Sequence, residues 1–476
     1  MNRENNNLSV ILLVLAFFPY CLQAGNVKIF TSAKADSSYM QDCSKLASRP
    51  DYKRGMDIRL FPKVRYQTFY GFGTCMSDGN AAAAMGLDEN MREEAVRLLF
   101  STDRGNGYVF CRVPMGSNDF STCDYVCVKE GDADLKTFNI REDKRNIIPV
   151  LTLAQHFSPS LRLMVSPWSP PVFMKTNANR LQGGKLRPEY YDAWAEYFAK
   201  FISAYSSEGL ITEFVTIQNE PQAVQTWESC IWTGREEGEF ATAFLRRHLD
   251  NSGLDSVKIL FWDHNRDLVI LRAEATLGVP GAREALDGIA HHWYAGDNFA
   301  QLRGFHQLYP EMLIVESEFC SGPNKGRTSM PYGVWDDLEL YAHEVIGNLN
   351  NYTNVIFDFN SFLDTKAGPF HNRNIGGIPS IVVDAKNKRI TPQPHYYAMG
   401  HFSRYIRPGA RIILSSCSSE NSDIEMTAAE NEDGSIVCVI LNSSDNNRSA
   451  RLFLPEKTVT DNLMLPAHSL TTVNIR

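Results

Sequence analysis

The sequence predicts an α/β fold, a (β/α)8 TIM barrel with a side-associated all-β sandwich module. Between about Phe69 and Tyr397, short apolar and β-branched runs alternate with longer amphipathic stretches, which is the pattern of repeated βα units. Eight such runs can be counted. Eight strands with their helices over about 330 residues fits a barrel with insertions. Most of the runs end on a residue that a dry core would reject, and barrels of this kind build their sites at the carboxyl ends of the strands.

The elements follow in order. Residues 1–24 read as a targeting segment: Arg3, an apolar run from Leu8 to Phe18, then Pro19 and a small-residue exit at Ala24 and Gly25. The run is too short to span a bilayer, and no later stretch reaches the roughly 18 apolar residues of a membrane helix. The expectation is a secreted or otherwise extracytoplasmic protein without a transmembrane segment. Residues 25–66 carry short β-like pieces at 27–33 and 56–66, expected to join the sandwich. The barrel is expected over 67–404, with strands at FYGFG (69–73), YVFCRVP (108–114), RLMVSPW (162–168), EFVTIQNE (213–220), VKILFWD (257–263), GIAHHWY (288–294), MLIVESE (312–318) and NVIFDFN (354–360). In the stretch between the third and fourth runs, Trp194, Tyr197, Phe198 and Phe201 fall on one face of a helix that Gly209 closes. Residues 405–476 hold β runs separated by turn signals such as Asp433-Gly434, the expected C-terminal β-sandwich.

Composition narrows the function classes. A net charge of −8, with no block of Lys and Arg, argues against a nucleic-acid partner. Beyond the leader lie nine cysteines. Only Cys123 and Cys127 are close together, and they lack the paired Cys-x-x-Cys and His clusters of a zinc site. Scattered buried thiols, with one or two disulfides, is the reading this favours. No cofactor is expected. Metal-dependent hydrolysis is disfavoured because the histidines are dispersed along the chain.

The sharpest segment is TIQNEPQAVQTWESC (216–230), in which Glu220 stands where a strand stops and Pro221 restricts its backbone. Taken alone, a strand-end glutamate more often caps a helix or faces water. A second strand changes the balance: LIVESEF (313–319) sets Glu316 and Glu318 among apolar residues, and a buried charge is costly unless paired or used. Two carboxylates in one cleft are what acetal hydrolysis needs, one to protonate the leaving oxygen and one to attack or to activate water. Simple alternation points Glu316 and Glu318 the same way, and Glu318 is preferred for its place nearest the strand end.

With these motifs the chain resembles glycoside hydrolase family 30, the glucosylceramidase family. The ordered matches include GFGTCMSDGNAAA (71–83), RVPMGSNDFS (112–121), SPWSPPVFMKTN (166–177), the Asn-Glu-Pro segment, HHWYAGD (291–297), SEFCSG (317–322), GPFHNRN (368–374) and YYAMGHFSRYIRPGARI (396–412). The resemblance implies a retaining, double-displacement β-glycosidase with Glu220 as acid/base and Glu318 as nucleophile. It also implies that Asn219 meets the sugar 2-hydroxyl, that Asp119 and Trp168 hold the far edge of the sugar, and that Arg112 orients the nucleophile. His292, Tyr294 and Phe359 are expected in the same pocket, and Asn374 near the aglycone entrance. Two departures stand out: Asp358-Phe359-Asn360 replaces Asp-Trp-Asn, and Phe370-His371 alter the entrance segment. The expected substrate is a β-linked glycoside, oligosaccharide or glycolipid, with an exo-acting β-glucosidase preferred over an endo-β-1,6-glucanase. A non-catalytic carbohydrate-binding protein is the reading of another class, and it has no need for a matched glutamate pair. The sequence leaves the oligomeric state open.

Overall fold

The computed structural model describes residues 27–45, 55–322, 332–371, 376–419, 423–455 and 457–476. Residues 1–24, expected to be a targeting segment, and Asn374 lie outside the described residues. Eight parallel strands close a barrel. With β1 (Val27–Ala33), β2 (Ser38–Asp42) and β3 (Met56–Thr68) preceding them, the barrel strands are β4 (Gly71–Cys75), β5 (Phe110–Pro114), β6 (Arg162–Ser166), β7 (Ile211–Thr216), β8 (Lys258–Asn265), β9 (Gly288–His292), β10 (Leu313–Glu318) and β11 (Val355–Asp358). Phe110, Met164, Phe214, Leu260, Ala290, Val315 and Phe357 fill the lumen as one cluster, so the barrel is a packed core and not a pore. The helix Tyr191–Ser207 buries Trp194, Tyr197, Phe198 and Phe201, and Gly209 adopts φ +81° just past its end.

Several strands end earlier than the hydropathy runs. β7 stops at Thr216, so Asn219 and Glu220 sit in the turn beyond it. β8 instead runs on to Asn265 through an irregularity between Trp262 and His264. Beyond the barrel strands, a small sheet of β12 (Phe362–Asp364), β13 (Ile381–Asp384) and β14 (Arg389–Pro392) forms where the sequence showed no separate element.

The remaining strands are β15 (Arg411–Cys417), β16 (Ile424–Glu430), β17 (Ile436–Asn442), β18 (Arg448–Leu454), β19 (Lys457–Leu465) and β20 (Ser469–Ile475). With β1–β3 they pair in the order β19-β18-β3-β15-β16-β17-β20-β1-β2. The long β3 bends between β18 and β15, so that Ile58, Leu60, Ile440, Leu452, Leu463 and Val473 share one core and the sheet folds into a sandwich. The module is packed on the barrel side: buried His401, on the helix Pro394–Ser403, lies 2.8 Å from both Ser32 Oγ of β1 and Thr472 Oγ1 of β20. All nine cysteines among the described residues are free thiols, so the expected disulfides do not form there.

Candidate active site

Strand alternation explains the walls of the site and bulges explain its centre. On β10, Val315 joins the lumen cluster while Ile314 packs into the helix layer. Glu316 follows Ile314 outward, into a buried group with Arg266, His291 and Glu344. A shift in pairing between Glu316 and Glu318 then turns Glu318 back toward the barrel mouth. The expectation that the two glutamates share a direction is therefore wrong, and the bulge, invisible in hydropathy, separates them. Trp262 (φ +75°) and Asp263 (+55°) within β8, and Glu220 (+47°) and Asn360 (+75°) just beyond their strands, adopt left-handed backbone. Such conformations cost about 1–3 kcal/mol each and persist where surrounding contacts over-determine them.

Those contacts converge on Arg112, which is wholly buried on β5. Its Nη1 donates to Glu318 Oε2 at 2.6 Å, and its Nη2 donates to Asn219 Oδ1 and Asp263 Oδ2, both at 2.8 Å. Its Nε reaches Ser166 Oγ at 3.1 Å, and the guanidinium lies 4.8 Å from the ring centre of Trp168. Asp263 also accepts from Thr216 and Ser317 and faces His292 Nε2 at 3.1 Å. Burial would raise the Asp263 carboxyl, but the Arg112 charge and the His292 contact hold it below its ordinary range.

His292 is fully buried behind the cavity. It does not line the pocket as expected; it spans the two carboxylates, with Nδ1 3.4 Å from Glu220 Oε1 and Nε2 3.9 Å from Glu318 Oε2. Burial works against its charge, yet Glu318, Asp263 and Glu220 push its pKa up to about 10. Conversely, burial would raise Glu220, and the imidazoles of His264 and His292 outweigh it and lower the carboxyl. Gln225 donates to Glu220 Oε2 at 3.2 Å. On the other carboxylate, the Tyr294 hydroxyl donates to Glu318 Oε1 at 2.9 Å.

A cavity of about 420 Å³ opens over this floor, bordered by both glutamates, Asn219, Tyr294, Asp119, Trp168 and Phe359. Its far wall is nearly dry: Asp119 is 7 % exposed, and its Oδ1 has no hydrogen-bond partner. Burial, then the negative charges of Glu318 and Glu228, push the Asp119 carboxyl well up. Phe359 lies 6.5 Å from Trp168 in near-parallel orientation and meets the edge of Phe120. Asn219 spends its Oδ1 on Arg112, which leaves its amide nitrogen as the group it can offer a ligand.

Comparison with known proteins agrees with this architecture. Residues 69–406 match the glycosyl hydrolase family 30 TIM-barrel domain and residues 409–473 the glycosyl hydrolase family 30 beta sandwich domain. The chain belongs to glycosyl hydrolase family 30. It is 34% identical over 408 residues to the lysosomal acid glucosylceramidase of Mus musculus, covering 83% of this chain and 78% of that one. It is 26% identical over 401 residues to the endo-1,6-beta-D-glucanase BGN16.3 of Trichoderma harzianum, covering 80% and 79% of the two chains. Among solved structures, SrfJ from Salmonella typhimurium superposes with a TM-score of 0.87 at 30% identity, covering 94% of this chain and 99% of that one. The endo-beta1,6-glucanase BT3312 superposes at 0.82 with 26% identity, covering 94% and 99%.

In this family 30 enzyme the structure brings together every sequence-predicted site residue that it describes, with His292 set behind the pocket. Sequence reasoning missed Asp263, His264, Gln225, Phe120 and Trp227 as site members. Asp263 and His264 were visible as polar residues closing a strand; Gln225 and Trp227 lie on the loop after Glu220 and carried no signal of their own. The histidines, dispersed in sequence, are not dispersed in space: His264 and His292 both face Glu220.

Proposed function

We propose that this family 30 enzyme is a retaining β-glucosidase of the glucosylceramidase type, with Glu318 as nucleophile and Glu220 as acid/base. One observation carries the reading: a single buried imidazole stands between the two carboxylates at the floor of one cavity, while Arg112 fixes Glu318. The charge inventory supports a role for each glutamate. In the ligand-free site the shared proton rests on His292, held there above all by the Glu318 charge. When Glu318 attacks the anomeric carbon that charge is consumed, and the proton is free to pass to Glu220 and on to the leaving oxygen. Water then gives a proton back to Glu220 as it displaces the sugar from Glu318.

The closed far wall favours exo action on a terminal sugar, because Asp119 has a buried oxygen that a sugar hydroxyl would satisfy. A second reading, endo-β-1,6-glucanase, draws on the named relatives and on Phe359, a smaller ring than the tryptophan the family resemblance leads one to expect. A panel of aryl β-glycosides beside pustulan, with anomeric NMR of the first product, tests both. Retained β-glucose from aryl β-glucosides is expected. An inverted first product would exclude double displacement, and fast mid-chain cutting of pustulan would exclude the exo reading.

A further inference from the structure

We infer that Glu220, His264 and His292 form a binding site for a zinc-like divalent cation, and that the cation inhibits the enzyme by occupying the acid/base. The inference rests on the reading of Glu220 as that group. Three ligand atoms from three elements converge: Glu220 Oε1 from the turn after β7, His264 Nδ1 from the end of β8 and His292 Nδ1 from β9. Both imidazole nitrogens are buried and make no hydrogen bond, yet they face the same carboxylate oxygen at 3.6 and 3.4 Å. In a tetrahedral zinc site with bonds of 2.0–2.1 Å, neighbouring ligand atoms stand about 3.3 Å apart. The two carboxylate–imidazole spacings are close to that value, and all three ligand atoms lie within 4.8 Å of one another.

The cation takes the place of the proton that His292 holds in the ligand-free site, so binding releases that proton to solvent, and the surroundings suit a metal. His292 presents its other nitrogen to Asp263 Oδ1 at 3.1 Å, the carboxylate–histidine arrangement that orients zinc ligands and raises their basicity. Gln225 occupies Glu220 Oε2, leaving Oε1 as the oxygen for the cation. Glu220 and His264 border the cavity, so a fourth position opens toward solvent or substrate. Two imidazoles and one carboxylate select Zn²⁺, Co²⁺ or Cu²⁺ over Mg²⁺ and Ca²⁺, which prefer all-oxygen shells. The cation is an inhibitor here and takes no part in hydrolysis.

Two measurements on the full chain test this, one independent of catalysis. Co²⁺ should give the visible absorption of a four-coordinate nitrogen- and oxygen-ligated site, lost in Glu220→Gln and in His264→Asn. Zn²⁺ should inhibit aryl β-glucoside hydrolysis competitively, with full recovery on chelation and no effect of Mg²⁺ or Ca²⁺. The Zn²⁺ needed for half-inhibition, relative to each protein's own uninhibited rate, should rise at least about tenfold in His264→Asn. Equal Zn²⁺ sensitivity in wild type and His264→Asn, or unchanged Co²⁺ absorption in both variants, overturns the site. If aryl glucosides are not hydrolysed at all, the Co²⁺ spectrum still decides the metal site while the proposed function alone fails.

Discussion

Arg112 and Glu318 form a buried ion pair in which one guanidinium nitrogen meets one carboxylate oxygen at 2.6 Å. The same guanidinium serves Asp263, Asn219 and Ser166, so it joins β5, β6, β8, β10 and the turn after β7 at one point. Lysine is a single point charge and cannot reproduce that fork. Arg112→Lys is expected to lower kcat/KM by on the order of 100-fold through misplacement of Glu318, the proposed nucleophile. Arg112→Met leaves Asp263 and Glu318 with His292 as the cation they share and should cost about 3–5 kcal/mol of stability. Thermal denaturation and aryl glucoside kinetics check both; a lysine variant with wild-type values would mean the ion pair positions nothing.

The contact between His292 and Glu220 leads to a leaving-group and pH prediction. Glu220→Gln should slow hydrolysis of glucosides with poor leaving groups by about 10²–10⁴-fold and leave activated dinitrophenyl glucosides much less affected in the first step. With His292 present, the shared proton stays in the site as pH rises toward the imidazole's pKa of about 10. In His292→Gln that proton has to stay on Glu220 itself. The basic limb of kcat/KM should then move toward the glutamate range. An unmoved basic limb in a folded His292→Gln protein would remove the imidazole from the proton path.

How much of this was legible in the sequence follows from where each force acts. Barrel and sandwich were legible because period-two and period-3.6 hydrophobicity report burial directly, and Glu220 and Glu318 because charge on an apolar strand end is conspicuous. What stayed hidden depends on backbone irregularities. The bulge between Glu316 and Glu318 turns Glu318 alone toward the mouth, and the left-handed Trp262 and Asp263 bring Asp263 beneath Arg112 and His264 against Glu220. Neither glycine nor proline marks these positions, so nothing local announces them. The pairing of Arg112 with Glu318, 206 residues apart, was legible only through the family resemblance, because no local pattern reports so distant a contact.

Glu316 supplies a stability prediction. It shares a dry space with Glu344, neutral His291 and the single guanidinium of Arg266. One positive charge faces two carboxyls, and burial pushes both up to about 7. A raised carboxyl contributes stability that is complete below its unfolded value of 4.5 and is lost as pH climbs through 7. Wild type should therefore lose on the order of 2 kcal/mol between pH 5 and pH 8 from this group. Glu316→Gln keeps the neutral form at every pH and leaves Arg266 to Glu344. Its melting temperature should change less over that interval and exceed that of wild type at pH 8. Parallel curves for the two proteins would show that this cluster does not set the pH dependence.

The cavity mouth gives the last prediction, through His371 and Glu228. Glu228 is buried beside the pocket loop, where its Oε1 accepts from Ser117 Oγ at 2.7 Å and lies 3.3 Å from His371 Nε2. His371 Nδ1 in turn faces the Ser121 carbonyl at 2.9 Å. The pair thus ties the segment after β12 to the loops that carry Asp119 and Trp227, without touching Glu220 or Glu318. Burial opposes the Glu228 charge, but His371, Arg180 and Ser117 hold its pKa down to about 2. The His371 pKa is raised, mainly by its contact with Glu228. The ion pair is therefore present below the raised histidine value and is lost as pH rises through it. His371→Ala should loosen the pocket wall while leaving the reacting groups in place, raising KM about tenfold with kcat changed by less than about threefold. Glu228→Gln should give the same KM increase, and the double variant no more than either alone, because both remove one contact. An equal fall in kcat and kcat/KM, with KM unchanged, would instead make the clasp part of the transition-state machinery.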